Sequence, residues 1–342
     1  MRHGGDLTEA KARYGASGPE WLDLSTGINP HPWPVPDALR RAGWERLPGE
    51  AEMRSLLAAA RDAYAIPDAA GIVAAPGTQA LIQWLPRLAP PGAVAILGPT
   101  YAEHAASWRA AGREVVRDME SRVSPTVIHR VVVNPNNPDG RILGPEAIRR
   151  RAEDCARAGG WLIVDEAFAD LDRAIGASAL VPGLPVVVLR SFGKFYGLAG
   201  LRLGFAVAPP AVADSLRAAL GDWAVSGPAL AVGAAALADR GWQAATRRRL
   251  AAEAAALDRV LAEGGAALLG GTALFRLVRH PDAAALHGRL AAAHIWCRRF
   301  EEAPDLLRFG LPEEPEGLAR LREGLARHVQ GTSTASPASV AR

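Results

Sequence analysis

Short apolar runs separated by longer amphipathic stretches are the feature that most constrains the fold of this chain. The runs, each bounded by turn residues, are 71–75, 94–97, 131–133, 161–164, 186–189 and 204–208. The helical patterns between them include 80–88, 102–111 and 145–158. Apolar runs of this length are typical of parallel strands that are covered on both faces. The alternation therefore predicts an α/β domain with a mostly parallel sheet flanked by helices.

The pattern changes after residue 208. Residues 210–262 consist almost entirely of helix formers. Predicted strands at 272–278, 294–298 and 306–310 follow, with predicted helices at 284–292 and 318–329. This order predicts a second, smaller α+β domain. The expected parts are a Gly- and Pro-rich N-terminal arm (1–35), a large domain (36–215), a small C-terminal domain (216–330) and a disordered tail (331–342).

Composition excludes several classes of protein. The chain has 342 residues, 49% of them hydrophobic, which is enough to form a sizeable core. Its apolar stretches are shorter than the roughly 20 residues that a membrane helix needs, and we expect neither a signal peptide nor a membrane partner. Cys155 and Cys297 stand far apart without metal-ligand spacing, so we expect no disulfide, no metal site and a cytoplasmic location.

The basic residues do not form a nucleic-acid-binding pattern. The net charge is only +3, and the densest basic run, residues 247–249, lies in an Ala-rich helical pattern. A solvated helix face explains that run better than a nucleic-acid surface does. We therefore expect no nucleic-acid partner.

A lysine-bearing segment, LRSFGKFYGLAGLRLG at residues 189–204, is the strongest chemical signal in the sequence. Lys194 follows the end of a predicted strand, and a lysine amine in a desolvated or cationic setting can form a Schiff base with an aldehyde. Ser191 and Arg202 supply the hydroxyl and guanidinium donors that bind a phosphate. The alternative is a surface lysine in a turn, but aromatic residues on both sides of Lys194 argue against full exposure.

A carboxylate ends another of the predicted strands. In WLIVDEAF the apolar run stops at Asp165. Ligands of parallel α/β sheets bind at the carboxyl ends of the strands, so Asp165 is expected to point into that crevice. The alternative is a helix cap, for which aspartate is also suited. The strand-Asp-Glu-Ala context favours the ligand-binding role.

Two turns and one aromatic residue complete the candidate site. The segment APGTQAL places Gly77, Thr78 and Gln79 where a helix begins, and the N–H groups and dipole there favour a phosphate. The segment VVVNPNNPDG leads from a strand into a tight turn that contains Asn137. Tyr101 follows another predicted strand. Each feature is common by itself, because ordinary surface turns have the same composition.

In chain order, these segments resemble those of the class I and II aminotransferase superfamily of pyridoxal-phosphate enzymes. The lysine segment is similar to the cofactor-lysine motif S-x-x-K-x-x-G-x-x-G-x-R-x-G, and the resemblance extends over residues 3–329. It implies pyridoxal-phosphate fold type I, pyridoxal 5'-phosphate as the cofactor and a homodimer. It also implies that the large domain binds the cofactor.

The resemblance implies a role for each candidate residue. Lys194 would hold the cofactor, and Asp165 would pair with the pyridine nitrogen and strengthen the electron sink, which makes both residues catalytic. Tyr101 would stack on the ring, and Asn137 would bind the ring oxygen. The residues that would bind the cofactor phosphate are Gly77, Thr78, Gln79, Ser191 and Arg202.

Three positions depart from the family pattern. Phe168 stands where many relatives carry a tyrosine that hydrogen-bonds to the ring oxygen, so that contact is absent or supplied elsewhere. Asp139 replaces the threonine of the family's N-P-T-G turn. Leu47 stands where relatives often have a tyrosine that reaches the cofactor phosphate across the dimer, and a leucine cannot make that bond.

The N-terminal arm narrows the resemblance to one branch. The segments HGGDL, from His3, and WLDLSTGINPHPWP, from Trp21, are similar to the threonine-phosphate decarboxylases of cobalamin biosynthesis. That branch converts O-phospho-L-threonine into (R)-1-amino-2-propanol O-phosphate, which implies a phosphorylated amino acid as the substrate. A histidinol-phosphate aminotransferase or a related aminotransferase is the alternative, because the motifs around the cofactor serve both reactions.

Such a substrate needs cationic donors and places the arm at the substrate site. Arg308 matches the position that binds the α-carboxylate through a bidentate pair, and Arg298 matches a position expected to bind the substrate phosphate. Arg299 is an adjacent competitor for that role. The other expected substrate residues are His3, Ser25, Thr26 and Gly27.

A non-catalytic protein that senses the cofactor belongs to a different functional class. Such a protein is expected to lose the lysine or the aspartate, whereas both Lys194 and Asp165 are present. The sequence therefore favours an enzyme, a pyridoxal-phosphate-dependent carboxy-lyase, with an aminotransferase as the alternative.

Overall fold

A computed structural model describes residues 4–41, 43–118, 126–172 and 174–332. The chain divides into two units, Pro32–Arg247 and Met1–His31 together with Arg248–Arg342. The larger unit thus extends to residue 247, whereas the sequence places the start of the small domain at residue 216. The predicted functional limits of the domains stay predictions.

The described residues form the following elements. The strands are β1 (Leu22–Leu24), β2 (Gly71–Ala75), β3 (Ala93–Ile96), β4 (Val115–Arg117), β5 (Val127–Val133), β6 (Leu162–Asp165), β7 (Val186–Ser191), β8 (Gly204–Ala208), β9 (Ala267–Thr272), β10 (Phe275–Arg279), β11 (Ile295–Arg299) and β12 (Leu306–Gly310). The α-helices are α1 (Thr8–Tyr14), α2 (Asp37–Arg40), α3 (Glu50–Ala63), α4 (Thr78–Leu88), α5 (Ala102–Ala110), α6 (Pro145–Arg157), α7 (Phe192–Phe195), α8 (Pro210–Leu220), α9 (Gly227–Ala238), α10 (Arg240–Glu263), α11 (Ala283–Ala292) and α12 (Pro315–Thr332).

A seven-stranded sheet forms the centre of the larger unit, in the order β2-β8-β7-β6-β5-β3-β4. The strands from β7 to β4 are mutually parallel, and β8 runs antiparallel to both β2 and β7. Helices α4, α6 and α8 pack against this sheet. All residues of β3, β6, β7 and β8 are buried, which explains why these strands appear in the sequence as continuous apolar runs. The predicted α/β fold with a mostly parallel sheet flanked by helices is confirmed.

A five-stranded sheet forms the centre of the smaller unit, in the order β1-β11-β12-β10-β9. Strand β1 is parallel to β11, and the other neighbours are antiparallel. The sequence predicts one strand at 272–278, but the structure has a hairpin there, formed by β9 and β10. The alternating pattern continues through the turn, where Thr272 Oγ1 accepts the Leu274 N–H at 3.2 Å. Periodicity alone therefore cannot locate this turn.

The C-terminal helix is longer than the sequence predicts. Helix α12 includes residues 331 and 332, which we expected in a disordered tail, and the remainder of that tail lies outside the described residues. A difference of this size is common at helix ends, which fray over one or two residues. Within the described ranges, no helix has both the length and the apolar character needed to cross a membrane.

Candidate active site

The carboxyl ends of neighbouring parallel strands gather several predicted cofactor residues in the larger unit. Asp165 is the last residue of β6, and Ser191 is the last residue of β7. In the sheet Asp165 lies opposite Val133 at the end of β5, four residues before Asn137. Because these strands run in the same direction, their ends meet at one edge, where open α/β sheets bind ligands.

The carboxylate of Asp165 is buried and held by two hydrogen bonds. Its Oδ2 lies 2.9 Å from Nε2 of the buried His104 on α5, and its Oδ1 accepts the Ala167 N–H at 3.0 Å. These contacts fix the carboxylate in one orientation, while its oxygens keep lone pairs for a further donor. His104 is absent from the residues predicted from sequence. The available signal is its place three residues after Tyr101, which directly precedes α5.

Lys194 lies half-buried on the short helix α7, directly after β7. Its Nζ is 6.0 Å from the ring centre of Phe168, a buried residue three positions after Asp165. The segment that follows β6 and the segment that follows β7 therefore approach each other at Lys194. The ring of Phe168 therefore lines one side of the space around the amine, which is the nucleophilic group of the lysine.

The predicted phosphate turn and the lysine loop meet at the start of α4. A Cβ atom on Gly77, which has a φ of 80°, would lie 2.6 Å from Arg202 Nη2. A Cβ atom on Gly204 would likewise lie 2.6 Å from the Thr78 backbone nitrogen. Gly204 is also the sheet partner of Ser191. The two glycines therefore allow Thr78, Ser191 and Arg202 to gather around the helix N-terminus, where N–H groups and the dipole attract an anion.

The side chain of Gln79 forms hydrogen bonds with two other side chains of the candidate site. Its Nε2 donates to Glu103 Oε2 at 3.0 Å, and its Oε1 accepts the Tyr101 hydroxyl at 3.3 Å. These bonds connect the phosphate turn to Tyr101, which directly precedes α5, and to Glu103 in the first turn of that helix. Gln79 can therefore serve an anion through its backbone N–H while its side chain orients Tyr101.

Asn136, the residue before the predicted ligand Asn137, holds the turn after β5. Asn136 is fully buried, and its Oδ1 accepts the Thr100 hydroxyl at 2.6 Å. Its Nδ2 donates to Pro99 O at 2.9 Å and to Asp139 Oδ1 at 2.7 Å. Asp139, the departure from the family's threonine, thus has a structural role in closing the turn. Asn137 is only half-buried, at the edge where β5 ends.

A buried ion triad lies beside the two catalytic candidates along the chain. Arg190, one residue before Ser191, binds Glu166 at 2.9 Å and Asp170 at 3.0 Å. Burial raises the pKa of Glu166, although the charge of Arg190 opposes that effect. Burial alone would lower the pKa of Arg190, but Asp170 and Glu166 raise it above its ordinary value. The triad therefore ties the end of β6 to the end of β7 through two buried ion pairs.

Two predicted substrate residues lie side by side in the smaller unit. Arg298 on β11 and Arg308 on β12 are direct partners in the antiparallel sheet. Burial, together with the charge of Arg298, lowers the pKa of Arg308 to about 10. Two guanidinium groups at such a position favour the binding of a carboxylate or a phosphate, because the anion offsets their repulsion.

Arg299, the competitor for the phosphate role, has a different partner. Its Nη2 lies 2.6 Å from the carboxylate of Glu9 on α1. Successive residues of a strand point to opposite faces of the sheet, so Arg299 and Arg298 face different surroundings. The ion pair with Glu9 gives Arg299 a structural role.

The predicted arm residues are held tightly within the same unit. Ser25 is fully buried, and its carbonyl oxygen accepts Arg308 Nη2 at 2.7 Å. Gly27 is buried and Thr26 is half-buried. A Cβ atom on Gly310 would lie 2.2 Å from the Thr26 carbonyl oxygen, so this loop packs directly against β12. His3, the remaining predicted substrate residue, lies outside the described residues.

Comparison with known proteins gives one family and close relatives. Residues 37–325 match the family model "Aminotransferase class I and II". The chain is 46% identical to a threonine-phosphate decarboxylase of Sinorhizobium sp over 329 residues, covering 95% of this chain and 97% of the relative. It is 43% identical to a threonine-phosphate decarboxylase of Pseudomonas aeruginosa over 330 residues, with the same shares of the two chains covered.

A solved structure supports the fold. The histidinol-phosphate aminotransferase from Sinorhizobium meliloti, determined in complex with pyridoxal 5'-phosphate, superposes with a TM-score of 0.83. The match covers 96% of this chain and 95% of that one, at 20% sequence identity. At this identity the likeness concerns the fold, and the choice of reaction has to come from the nearer relatives.

Proposed function

This chain belongs to the aminotransferase class I and II family, and from that premise we propose that it decarboxylates O-phospho-L-threonine. It is a pyridoxal-phosphate-dependent enzyme, and its product is (R)-1-amino-2-propanol O-phosphate, for use in cobalamin biosynthesis. The observation that carries the choice of reaction is the identity of 46% and 43% to two threonine-phosphate decarboxylases over 95% of the chain. Histidinol-phosphate aminotransferase is the second candidate, because the motifs around the cofactor serve both reactions.

The donors at the sheet edge suit pyridoxal 5'-phosphate chemically. The helix start at Thr78, with the Arg202 guanidinium packed against Gly77, matches the charge of a phosphate. The buried carboxylate of Asp165 matches a protonated ring nitrogen, and the amine of Lys194 matches an aldehyde. When bound, the cofactor withdraws the electrons released at the substrate Cα.

We assign the remaining roles at the cofactor site as follows. Asp165, oriented by His104, would accept a hydrogen bond from the ring nitrogen and keep that nitrogen protonated. Tyr101 would lie against the ring, and Asn137 would donate to the ring oxygen. The phosphate would be bound by Gly77, Thr78, Gln79, Ser191 and Arg202.

Substrate orientation would decide which bond breaks. Only the bond held perpendicular to the ring plane overlaps the π system, so decarboxylation requires the Cα–carboxylate bond in that position. We propose that Arg308 and Arg298 set this orientation by holding the anionic groups of the substrate, together with residues of the arm. After CO2 has left, the Lys194 amine would return a proton to Cα. In a transaminase the same amine would instead remove the Cα proton.

The functional division of the chain is part of the proposal. Residues 36–215 would bind the cofactor, residues 216–330 would form the small C-terminal domain, and the arm of residues 1–35 would complete the substrate site through His3 and the backbone of Ser25, Thr26 and Gly27. In support of this division, all cofactor candidates belong to the larger unit, and the described substrate candidates belong to the smaller unit.

We also propose that the enzyme is a cytoplasmic homodimer. Trp44, Leu47 and Trp223, all in the larger unit, are 72%, 67% and 60% exposed. A cavity of about 460 Å³ in the same unit is lined by Pro48, next to Leu47, and by Trp223. Exposed apolar groups of this size favour a protein partner, here a second copy of the chain. Light scattering should give twice the chain mass for wild-type enzyme, and Trp223→Asp should lower the dimer fraction.

Product analysis tests the proposed reaction. Enzyme loaded with pyridoxal phosphate is incubated in separate reactions with O-phospho-L-threonine alone and with histidinol phosphate plus 2-oxoglutarate. The proposal predicts CO2 release in the first reaction and negligible glutamate in the second. Glutamate formation without CO2 release would identify an aminotransferase.

A further inference from the structure

The hydroxyl of Ser25 connects two parts of the N-terminal arm. Ser25 Oγ donates its proton to Asp23 Oδ1 at 2.6 Å, and the same carboxylate oxygen accepts the Ser25 N–H at 2.8 Å. Because its proton is committed to Asp23, Ser25 Oγ presents only lone pairs to other groups, and it accepts the Gly5 N–H at 2.9 Å. Asp23 thus sets the direction of the hydroxyl that holds Gly5.

The backbone around Gly4 fits against Ser25 without room for a side chain. A Cβ atom on Gly4 would lie 2.3 Å from the Ser25 carbonyl oxygen, and Gly5 has a φ of 88°, which favours glycine. The same carbonyl oxygen accepts Arg308 Nη2 at 2.7 Å. The Ser25 carbonyl oxygen therefore contacts both the backbone of Gly4 and the guanidinium group of Arg308.

A second attachment fixes the helix that follows this start. The Glu9–Arg299 ion pair joins α1 to β11, and Ala10 of α1 packs with Trp296 and Ala291 in a small apolar cluster. Between Gly5 and Ser25 the arm is thus held at both ends.

We propose that Asp23 and Ser25 are positioning residues that latch the arm beside Arg308 and thereby set the affinity for the phosphorylated substrate. The latch consists of Gly4, Gly5, Asp23 and Ser25. The Ser25 hydroxyl then acts on the substrate through the arm and donates no hydrogen bond to it. This inference rests on the proposed function, since the substrate is taken to be O-phospho-L-threonine.

The test combines kinetics with hydrogen exchange in the holoenzyme. Ser25→Ala removes the hydroxyl, and Asp23→Asn keeps the shape but weakens the acceptor. In both variants the amides of residues 4–14 should exchange faster, and the KM for O-phospho-L-threonine should rise roughly tenfold, while kcat changes by less than about threefold. Ser17→Ala, an exposed serine on the same arm, is the matched control and should change neither quantity.

Each result decides the inference. Faster exchange without a rise in KM would overturn it, because the latch would then be only structural. A rise in KM with unchanged exchange would also overturn it, because Ser25 would then contact the substrate directly. If wild-type enzyme releases no CO2, the proposed function fails by itself. The latch is then judged by exchange together with calorimetric binding of O-phospho-L-threonine, which should weaken roughly tenfold in Ser25→Ala and not in Ser17→Ala.

Discussion

Adjacent residues of the same type have different contacts in two places in the chain. Asn136 is buried and uses both ends of its amide to hold the turn, whereas Asn137 is half-buried where β5 ends. Arg299 is paired with Glu9, whereas Arg298 lies opposite Arg308. In each pair the residue type is the same, and the contacts of Asn136 and Arg299 give these two residues structural roles.

Lys194 can be tested against an internal control, because Lys11 is the one other lysine in the sequence. Lys194→Ala should abolish the visible absorbance of lysine-bound cofactor and lower activity by about a hundredfold or more. Lys11→Ala should retain both, since Lys11 is exposed on α1. Borohydride reduction followed by peptide mapping should place the cofactor on the peptide that contains residue 194. Labelling of residue 11 instead would contradict the assignment.

At the scale of elements, strands β6 and β7 are joined by more than their hydrogen-bond ladder. The buried triad of Arg190, Glu166 and Asp170 connects the residue after Asp165 to the residue before Ser191. One buried cluster of charged residues therefore positions both the Asp165 carboxylate and the lysine loop. Removing one member leaves a buried charge without a partner. This destabilises a fold more than replacing all the buried charges with apolar residues of similar volume.

Replacing Arg190 by methionine should therefore be strongly destabilising. The expected loss is about 3–5 kcal/mol of unfolding free energy, because Glu166 and Asp170 would stay buried without a cation. Urea denaturation of the apoenzyme measures it. Arg54→Met removes an exposed pair with Glu50 on α3 and should cost less than about 1 kcal/mol. Equal effects of the two substitutions would contradict the role given to the triad.

The contact between α11 and β11 predicts a pH dependence of stability. Burial, with the charge of Arg299, lowers the pKa of His287 from 6.5 to about 4, and its ring lies 4.6 Å from that of Trp296. Between these pH values the unfolded chain binds a proton that the folded chain does not, so stability falls as pH falls. His287 should account for a loss of about 2 kcal/mol in unfolding free energy between pH 7 and pH 5.

Urea denaturation at the two pH values checks the His287 prediction. The neutral variant His287→Gln should lose about 2 kcal/mol less than wild type over this range. Ser17→Ala, at an exposed serine, should behave like wild type. A variant at residue 287 with an unchanged pH dependence would rule out this source of acid sensitivity.

The elements that follow from local patterns could be predicted, and those that depend on distant partners could not. The buried strands β3, β6, β7 and β8 are continuous apolar runs, so sequence alone located them. The turn between β9 and β10 was missed because the alternation continues through it.

The same division holds for the candidate site. Gly77, Asp165 and Lys194 belong to contiguous motifs and could be proposed from sequence. His104, by contrast, pairs with a carboxylate 61 residues away, and Glu9 pairs with Arg299 across 290 residues. Periodicity contains no information about such pairs, because they are set by the packing of whole elements.

At the scale of the whole molecule, the candidate cofactor residues and the described candidate substrate residues belong to different units of the chain. The larger unit holds the candidate anion-binding turn, the buried carboxylate and the lysine, which would serve decarboxylation and transamination alike. The smaller unit holds the arginine pair and the arm, which would select the substrate and its orientation. Under the proposed function, the choice of reaction would therefore depend on the smaller unit, where the arm resembles that of the threonine-phosphate decarboxylases.

The most direct measurement of that choice follows both the carboxyl carbon and the proton at Cα. Wild-type holoenzyme is given O-phospho-L-threonine labelled with ¹³C in the carboxyl group, in ²H₂O and without any 2-oxo acid. We predict one labelled CO2 for each molecule of 1-amino-2-propanol O-phosphate, with a single deuterium on the carbon that carries the amine. Label retained in a 2-oxo acid, with turnover that needs an added amino acceptor, would contradict the assignment as a decarboxylase.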